Sequence, residues 1–289
     1  MLLRTLRAIM LGDVVGDPGL DLLDHLLPAA IKEHSADFVM VNGENAAAGF
    51  GLTLPHLERL FAAGADVVSG GNHVWEKRDF WPVLDSEKRV LRPMNYAPGS
   101  PGRGWVKLEK PSPWGGPPIT WIVLNLQGRE FMSPLDCPFR TFDDFETALS
   151  SSNSNHSTLD AKDNLPGDMQ DTPFILVDFH AESSREKEAL AYYLDGRASV
   201  VAGTHTHVQT ADERILPKGT AYITDLGMCG MLDGVIGMDT RICIDRARNQ
   251  VLYRMEVAAP AEGDKTGIQG IIVEFDGESR KALSVRRLS

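Results

Sequence analysis

Side chains that can bind metal ions follow several short apolar segments of the sequence. They occur in the strings Gly12-Asp13, Asn42-Gly43-Glu44-Asn45, Gly70-Gly71-Asn72-His73, Asp178-Phe179-His180 and Gly203-Thr204-His205-Thr206-His207. Carboxylate, carboxamide oxygen and imidazole together suit Fe, Mn or Zn, whereas oxygen ligands alone suit Mg or Ca. A carboxylate can also bridge two ions about 3.5–4 Å apart, the spacing used for displacement at phosphorus. These residue types match a centre of two metal ions, with Glu44 as the natural bridging ligand.

Taken singly, each of these residues also has an ordinary structural explanation. An Asp directly after a strand, such as Asp13, usually forms a turn or a cap. Asn72 could be a turn residue with positive φ, and a lone His180 is more often a buried histidine with a hydrogen-bond partner than a ligand. The joint pattern favours metal binding, because four of the eight histidines follow or end predicted strands: His73, His180, His205 and His207.

Short apolar segments rich in Val, Ile and Phe predict the strands that position these residues. They lack the alternation of apolar and polar residues that a half-exposed strand shows, which is typical of strands buried on both faces. The predicted strands are Arg7–Leu11, Asp37–Val41, Asp66–Ser69, Thr120–Leu124, Phe174–Val177 and Ser199–Ala202.

Two predicted helices, Leu20–His34 and Leu54–Ala63, alternate with the first three strands. This order predicts an α/β fold with right-handed crossovers and a parallel sheet. Ligand sites in open α/β sheets lie outside the carboxyl ends of the strands. Residues that are far apart in the sequence are therefore expected to converge there.

The later part of the chain has a different pattern. Arg241–Val257 and Gly270–Leu288 are predicted as strands, the second containing a hairpin around Asp276-Gly277. Lys110–Pro118 is a Pro- and Gly-rich loop, and residues 150–171 form a polar, Ser- and Asn-rich insertion. The length and polarity of the second insertion predict a mobile or disordered excursion. The strand pattern resumes at Phe174, so residues 1–289 are predicted to form a single domain.

Composition excludes several classes of function. The chain has 29 Lys and Arg against 40 Asp and Glu, a net charge of −11, which disfavours long nucleic acid as a partner. The net charge does not exclude a small anionic substrate that is bound through a metal ion. An odd count of 3 cysteines predicts reduced thiols and a cytoplasmic protein. No apolar run approaches ~18 residues, so no membrane association is expected.

The order of these motifs resembles that of the calcineurin-like metallophosphoesterases. Longer strings resemble their YmdB-like bacterial branch, the 2′,3′-cyclic-nucleotide 2′-phosphodiesterases. The strings that carry this resemblance include GDVVG, NGENAA, GNHVW, NLQGR, DFHAE, DGRASVVAGTHTHVQTAD and ILPKGTAYITDLGM. The resemblance spans nearly the whole chain apart from the two insertions.

The resemblance implies a four-layer αββα sandwich with a dinuclear site that holds Fe or Mn, or alternatively Zn. One metal would be held by Asp13, Glu44, Asn45 and His207, and the other by Glu44, Asn72, His180 and His205. A hydroxide bridging the metals would attack a 2′,3′-cyclic nucleotide, with 3′,5′-cyclic nucleotides as a second candidate substrate, and His73 would be the proton donor. The resemblance also implies a homo-oligomer.

The sequence departs from the wider superfamily at two positions. Val15 stands where a ligand histidine usually follows the first Asp, and Asn45 would complete that ligand set. Val74 stands where an acidic residue usually orients the catalytic imidazole, so that carboxylate is expected to be missing. Arg129 and Lys218 are candidates for contact with a phosphate.

Three alternatives stay open from the sequence. A metallophosphatase or nuclease of the same superfamily would keep the metal centre and change the substrate. A non-catalytic regulatory protein would bind metal without turnover. An amidohydrolase barrel is disfavoured, because its His-x-His pair follows the first strand whereas His205 and His207 follow the last of the predicted parallel strands.

Overall fold

The computed structural model describes residues 4–150 and 172–289 of the chain. The strands are β1 (Thr5–Val14), β2 (Phe38–Asn42), β3 (Val67–Ser69), β4 (Trp105–Lys110), β5 (Ile119–Gln127), β6 (Phe174–His180), β7 (Val200–Thr204), β8 (Arg214–Ile215), β9 (Ala221–Ile223), β10 (Met228–Met231), β11 (Thr266–Ile268), β12 (Gly270–Asp276) and β13 (Ala282–Leu288). The helices are α1 (Gly16–His34), α2 (Leu54–Ala62), α3 (Trp81–Ser86), α4 (Pro138–Ser150), α5 (Ser184–Tyr193) and α6 (Thr240–Asn249).

The first sheet has seven strands, and its parallel part contains β1, β2 and β3. β1 also pairs in parallel with β10 at its last two residues and antiparallel with β12 along most of its length. Because β1, β2 and β3 run in the same direction, the segments that follow them emerge at one edge of the sheet.

The second sheet has six strands in the order β4-β5-β6-β7-β9-β8. Strands β5, β6, β7 and β9 are parallel to one another, while β4 and β8 pair antiparallel at the edges. Strand β6 pairs residue by residue with β5 and β7, so that His180 lies beside Gln127 and Thr204. The carboxyl edge of this sheet therefore carries the second group of polar strand ends.

The two sheets pack face to face through a buried apolar layer. Trp121 of β5 stacks on Phe38 of β2 with ring centroids 4.7 Å apart and on Phe174 of β6 at 4.5 Å. Helices α1 and α2 cover the outer face of the first sheet, and α4 and α5 cover that of the second. The expected four-layer αββα sandwich is confirmed, and its two open sheets do not form the closed barrel of an amidohydrolase.

Most of the predicted elements are confirmed with ends shifted by a few residues. The six apolar segments overlap β1, β2, β3, β5, β6 and β7, and the two predicted helices overlap α1 and α2. Strands β12 and β13 form the predicted antiparallel hairpin, and residues 111–118 connect β4 to β5. In the parts of the chain that the structure describes, no helix is long and apolar enough to cross a membrane.

The prediction of a strand over Arg241–Val257 is wrong. Residues Thr240–Asn249 form α6, which begins where Asp239 accepts a hydrogen bond from the backbone N–H of Ile242 at 2.8 Å. The helix ends at Gln250, whose φ of 56° is left-handed. A side-chain cap of this kind fixes the first turn, whereas the prediction relied on apolar residues alone.

The prediction for residues 150–171 lies outside the described residues, except that Ser150 ends α4. The assignment of residues 1–289 to one domain stays a prediction.

Candidate metal centre

The carboxyl edges of the two sheets meet, and the polar strand ends converge between them. The backbone N–H of His205, after β7, donates to Asp13 Oδ2 of β1 at 3.1 Å. The side-chain amide of Asn42, at the end of β2, donates to Asp178 Oδ2 of β6 at 3.0 Å. Residues nearly two hundred positions apart are thus hydrogen-bonded across the two sheets.

One group of predicted ligands lies around Nε2 of His180. This nitrogen is 2.9 Å from Glu44 Oε1, 3.0 Å from Asn72 Oδ1 and 3.0 Å from His205 Nδ1. The structure therefore brings together the four residues that the resemblance assigns to the second metal. They come from the ends of β2, β3, β6 and β7.

The hydrogen bonds of Thr204 determine which nitrogen of His180 is free to bind a metal. The Thr204 hydroxyl donates to Asp178 Oδ1 at 2.7 Å, so its oxygen accepts from Nδ1–H of His180, 2.9 Å away. The lone pair of the neutral ring is then on Nε2, the nitrogen that faces Glu44 and Asn72. Histidine ligands in metal sites are commonly oriented in this way.

A hydrogen bond also orients His207, while His205 has a carboxylate near its second ring nitrogen. Nε2 of His205 lies 3.3 Å from Glu182 Oε2, and its Nδ1 lies 3.0 Å from His180 Nε2. Nδ1–H of His207 donates to the backbone oxygen of Ile236 at 2.8 Å, which leaves Nε2 facing Asp13 Oδ1 at 3.8 Å. Each of the three histidines thus directs one ring nitrogen into the site.

Asp13 and Asn45 each contain an oxygen with no hydrogen-bond partner among the described residues. These atoms are Asp13 Oδ1 and Asn45 Oδ1, and both are buried. The amide nitrogen of Asn45 donates to the backbone oxygen of Gly49 at 2.9 Å, which fixes Oδ1 as the free end. Buried polar atoms normally have a partner, and a cation beside His207 would supply one. The predicted first ligand set therefore fits a metal ion.

The pKa shifts show how the charges at the site interact. Burial raises the pKa of Asp13 to about 6, although His207 and His180 oppose the shift. Burial also acts to raise the pKa of Glu44, but His180 outweighs it and lowers that pKa to about 2. Burial disfavours the charged form of His180, but Glu44 raises its pKa to about 9. Without metal, Glu44 thus needs a proton on His180, and metal ions displace such protons when they bind.

The fourth predicted histidine, His73, is placed differently. Its ring is half-buried beside Phe50, with ring centroids 5.0 Å apart, and its backbone N–H donates to Glu44 Oε2 at 3.1 Å. A different carboxylate lies near the ring, since Glu76 Oε1 is 3.4 Å from His73 Nδ1. Nε2 of His73 is then the nitrogen available for proton transfer.

A cavity of about 420 Å³ opens over the site. Its walls include Glu44, Asn45, His73, His205 and His207. Arg129 and Lys218 do not line this cavity: Arg129 lies beside Cys137, and the backbone of Lys218 is bound to Asp195.

Sequence reasoning missed Glu76, Glu182 and Arg246. Glu182 and Arg246 line the cavity, and Glu76 contacts His73. Glu182 lies two residues after His180, a spacing that could have indicated it. Arg246 was not recognised because its segment, which forms helix α6, is predicted as a strand from the sequence.

The family model described as "YmdB-like protein" matches residues 9–288, nearly the whole chain. This chain belongs to the YmdB-like family. The resemblance inferred from the sequence is therefore confirmed.

Two curated relatives match this YmdB-like chain over almost their full length. A protein of Bacillus subtilis (strain 168) named 2′,3′-cyclic-nucleotide 2′-phosphodiesterase is 41% identical over 283 residues, covering 98% of this chain and 96% of the relative. A putative phosphatase/phosphodiesterase of Mycoplasma pneumoniae is 32% identical over 294 residues, covering 99% and 94%.

Solved structures show the same fold. A hypothetical protein from Thermus thermophilus has a TM-score of 0.80 and 36% identity, with 98% of each chain covered. A novel phosphatase of Mycoplasma pneumoniae has a TM-score of 0.83 and 30% identity, covering 99% of this chain and 94% of that one. These two proteins thus share the fold of this chain.

Proposed function

We propose that this protein is a metal-dependent phosphodiesterase that hydrolyses 2′,3′-cyclic nucleotides by opening the bond to O2′, which leaves a 3′-phosphate. The observation that carries the proposal is the convergence of Glu44, Asn72 and His205 on Nε2 of His180. Two buried oxygens of the site, Asp13 Oδ1 and Asn45 Oδ1, also have no hydrogen-bond partner among the described residues. In a purely structural cluster, these two buried oxygens would have hydrogen-bond donors. The name of the Bacillus subtilis relative supports the choice of substrate.

Two groups of residues would each hold one metal ion. Asp13, Asn45 and His207 form one group, Asn72, His180 and His205 form the other, and Glu44 belongs to both. We propose Fe or Mn as the bound metals, with Zn as a further candidate, because imidazole and oxygen ligands together suit these ions. When bound, the ions would neutralise charge on the phosphoryl oxygens and lower the pKa of water.

His73 is proposed to protonate the leaving O2′. It lines the cavity but belongs to neither ligand group, so its ring is free to exchange a proton. Glu76 holds Nδ1, and the bond from the His73 backbone to Glu44 fixes the residue beside the metal ligands. General acid catalysis of this kind contributes a rate factor of about 10²–10⁴.

A substrate panel tests the proposal. Protein loaded with Mn²⁺ or Fe²⁺ is assayed on 2′,3′-cyclic AMP, 3′,5′-cyclic AMP, single-stranded DNA and a phosphopeptide, and the products are separated by chromatography. We expect the highest kcat/KM on 2′,3′-cyclic AMP, with adenosine 3′-phosphate as the product. Preferred turnover of DNA or of the phosphopeptide would instead assign a nuclease or a phosphatase. No turnover of any substrate by metal-loaded protein would favour a regulatory role.

A further inference from the structure

The cavity above the proposed metal ligands has an apolar wall, formed by Phe50 and by side chains between residues 236 and 255. Phe50, Ile236, Met238 and Met255 line it, opposite in character to the carboxylate and histidine side chains of the metal groups. Methionine and aromatic side chains adapt well to a flat ring such as a nucleobase. The cavity volume of about 420 Å³ lies within the range of small-ligand sites.

Arg246 is the only lysine or arginine that lines this cavity among the described residues. It lies on α6, and its Nη1 donates to the backbone oxygen of Tyr253 at 2.6 Å. This bond uses one of the five N–H donors of a guanidinium. The hydrogen bond positions the side chain, and other N–H groups of the guanidinium can donate to a ligand.

No carboxylate pairs with Arg246 in the described parts of the chain, unlike several other arginines. Arg59, Arg197 and Arg214 each lie within 2.7 Å of a carboxylate oxygen. A guanidinium that is anchored to a backbone carbonyl, faces an active-site cavity and has no internal anion is suited to bind an external one. Phosphate oxygens fit its fork of parallel donors.

Arg246 also makes little contribution to the core. Helix α6 contains no buried residue, and Arg248, two positions further along the same helix, is exposed and does not line the cavity. The location of Arg246 is therefore poorly explained by packing.

We propose that Arg246 binds a phosphate group of the nucleotide while the apolar wall holds its base. This inference rests on the proposed function and deepens it by naming a substrate-binding residue. The phosphate is either the one that is hydrolysed or a second one on the 5′ oxygen, and the experiment separates the two.

The kinetic test compares Arg246→Gln and Arg246→Lys with Arg248→Gln as the matched control. Each metal-loaded variant is assayed on 2′,3′-cyclic AMP and on its 5′-phosphorylated form. Since hydrogen bonds to charged groups are among the stronger ones, Arg246→Gln should raise KM about tenfold or more and change kcat less. The rise should occur with both substrates if Arg246 binds the reacting phosphate, and with the 5′-phosphorylated substrate alone if it binds the 5′-phosphate. Arg246→Lys keeps the charge without the fork and should show a smaller rise. Arg248→Gln should match the wild type.

A binding test is independent of turnover. Calorimetry measures the Kd of adenosine 3′-phosphate and of adenosine 3′,5′-bisphosphate for the same metal-loaded variants. Equal weakening of both ligands by Arg246→Gln assigns Arg246 to the reacting phosphate. Weakening of the bisphosphate alone assigns it to the 5′-phosphate. A change confined to the melting temperature, with KM and Kd as in Arg248→Gln, overturns the inference.

The two proposals fail in different ways. If the wild type turns over neither cyclic substrate, the proposed function fails, and the two Kd values still decide the role of Arg246. If the wild type is active and Arg246→Gln has unchanged KM and Kd, only the inference about Arg246 fails. Should Arg246→Gln not fold, Arg246→Lys decides. Wild-type KM and Kd for Arg246→Lys would overturn the inference about Arg246.

Discussion

Three histidines direct one ring nitrogen into the same space, and the other ring nitrogen of each lies near an oxygen atom. The Thr204 hydroxyl and the backbone oxygen of Ile236 accept hydrogen bonds from His180 and His207, and the Glu182 carboxylate lies 3.3 Å from His205 Nε2. These three oxygens come from different segments of the chain. Such outer contacts commonly tune metal affinity.

His73→Ala tests the division between ligands and proton donor. Because His73 contributes no ring atom to either metal group, the variant should retain about two metal ions per chain and lose a factor of about 10²–10⁴ in kcat. Metal content by mass spectrometry and turnover of 2′,3′-cyclic AMP are measured on one sample. His25→Ala, a change on helix α1 away from the site, serves as the control. Loss of metal from His73→Ala would make His73 a ligand or a structural residue instead.

The predicted site residues could be recognised from the sequence because strand ends are simple to locate. Asp13, Glu44, Asn72, His180 and His205 each end or follow a run of buried apolar residues, and parallel strands bring such positions to one edge. Glu76 and Arg246 could not be recognised in this way. Their roles depend on how a loop and a surface helix fold back over the site, which no short pattern encodes.

At the level of elements, the loop after β7 holds two predicted ligands in a conformation that is unfavourable for them. His205 has a φ of 101° and His207 a φ of 63°, values that non-glycine residues seldom adopt. Between them, the backbone N–H of Thr206 donates to Asp225 Oδ2 at 3.1 Å. Asp225 in turn is 2.7 Å from the ammonium group of Lys187, and both side chains are buried.

Lys187→Met should destabilise the protein by about 3–5 kcal/mol, because it leaves the buried charge of Asp225 without its partner. It should also weaken metal binding by loosening the loop at Thr206. Urea unfolding and metal titration measure the two effects, and Lys88→Met at an exposed position should change the free energy of unfolding by no more than about 0.5 kcal/mol. Equal stability of the two variants would show that the buried pair does not support the loop.

Gly71 lies between β3 and Asn72 at a point where no larger residue fits. A Cβ there would lie 2.3 Å from Glu44 Oε2 and 2.4 Å from His180 Nε2. We expect Gly71→Ala to push these two ligands apart and to reduce metal content and activity together while the fold is kept. Gly267→Ala is the control, since its Cβ would meet only the end of the Leu232 side chain, at 3.2 Å. Full metal content in Gly71→Ala would contradict the ligand geometry.

The incorrect prediction of a strand where α6 lies has a physical explanation. The apolar residues in Arg241–Val257 favour a strand, but Asp239 caps a helix there and none of the helix residues is buried. A surface helix of this kind does not show the broad apolar stripe that identifies a core-facing helix. The buried strands, by contrast, were located correctly because their burial on both faces leaves a continuous apolar run.

For the whole molecule, the aromatic layer between the sheets couples the two halves of the site. Trp121 is about 1% exposed and contacts both Phe38 and Phe174, which belong to opposite sheets. The site takes ligands from the edges of both sheets, so its geometry depends on this packing. We therefore propose that the whole chain unfolds as one domain.

Trp121→Ala should lower the free energy of unfolding by about 3–5 kcal/mol. In urea, the unfolding curves of the wild type by circular dichroism and by tryptophan fluorescence should coincide, as expected for one cooperative unit. The half-exposed Trp81 provides a control, and Trp81→Phe should have a smaller effect. Two separate transitions in the wild type would contradict the single-domain proposal.

The net charge of −11 acquires a more specific meaning from the structure. Only Asp13 and Glu44 of the acidic residues are proposed as direct ligands, so most of the negative charge lies elsewhere on the molecule. Two bound cations would still make the cavity attractive to a single phosphate. The expectations of no long nucleic-acid partner, of a homo-oligomer and of a cytoplasmic location stay predictions.

Metal analysis of freshly purified wild-type protein tests the central claim most directly. The geometry of the two ligand groups predicts about two transition-metal ions per chain, retained through gel filtration. A lower content should rise to about two when Mn²⁺ or Fe²⁺ is added, with phosphodiesterase activity rising in parallel. Fewer than about two ions per chain, with no recovery on addition of metal, would contradict the dinuclear centre.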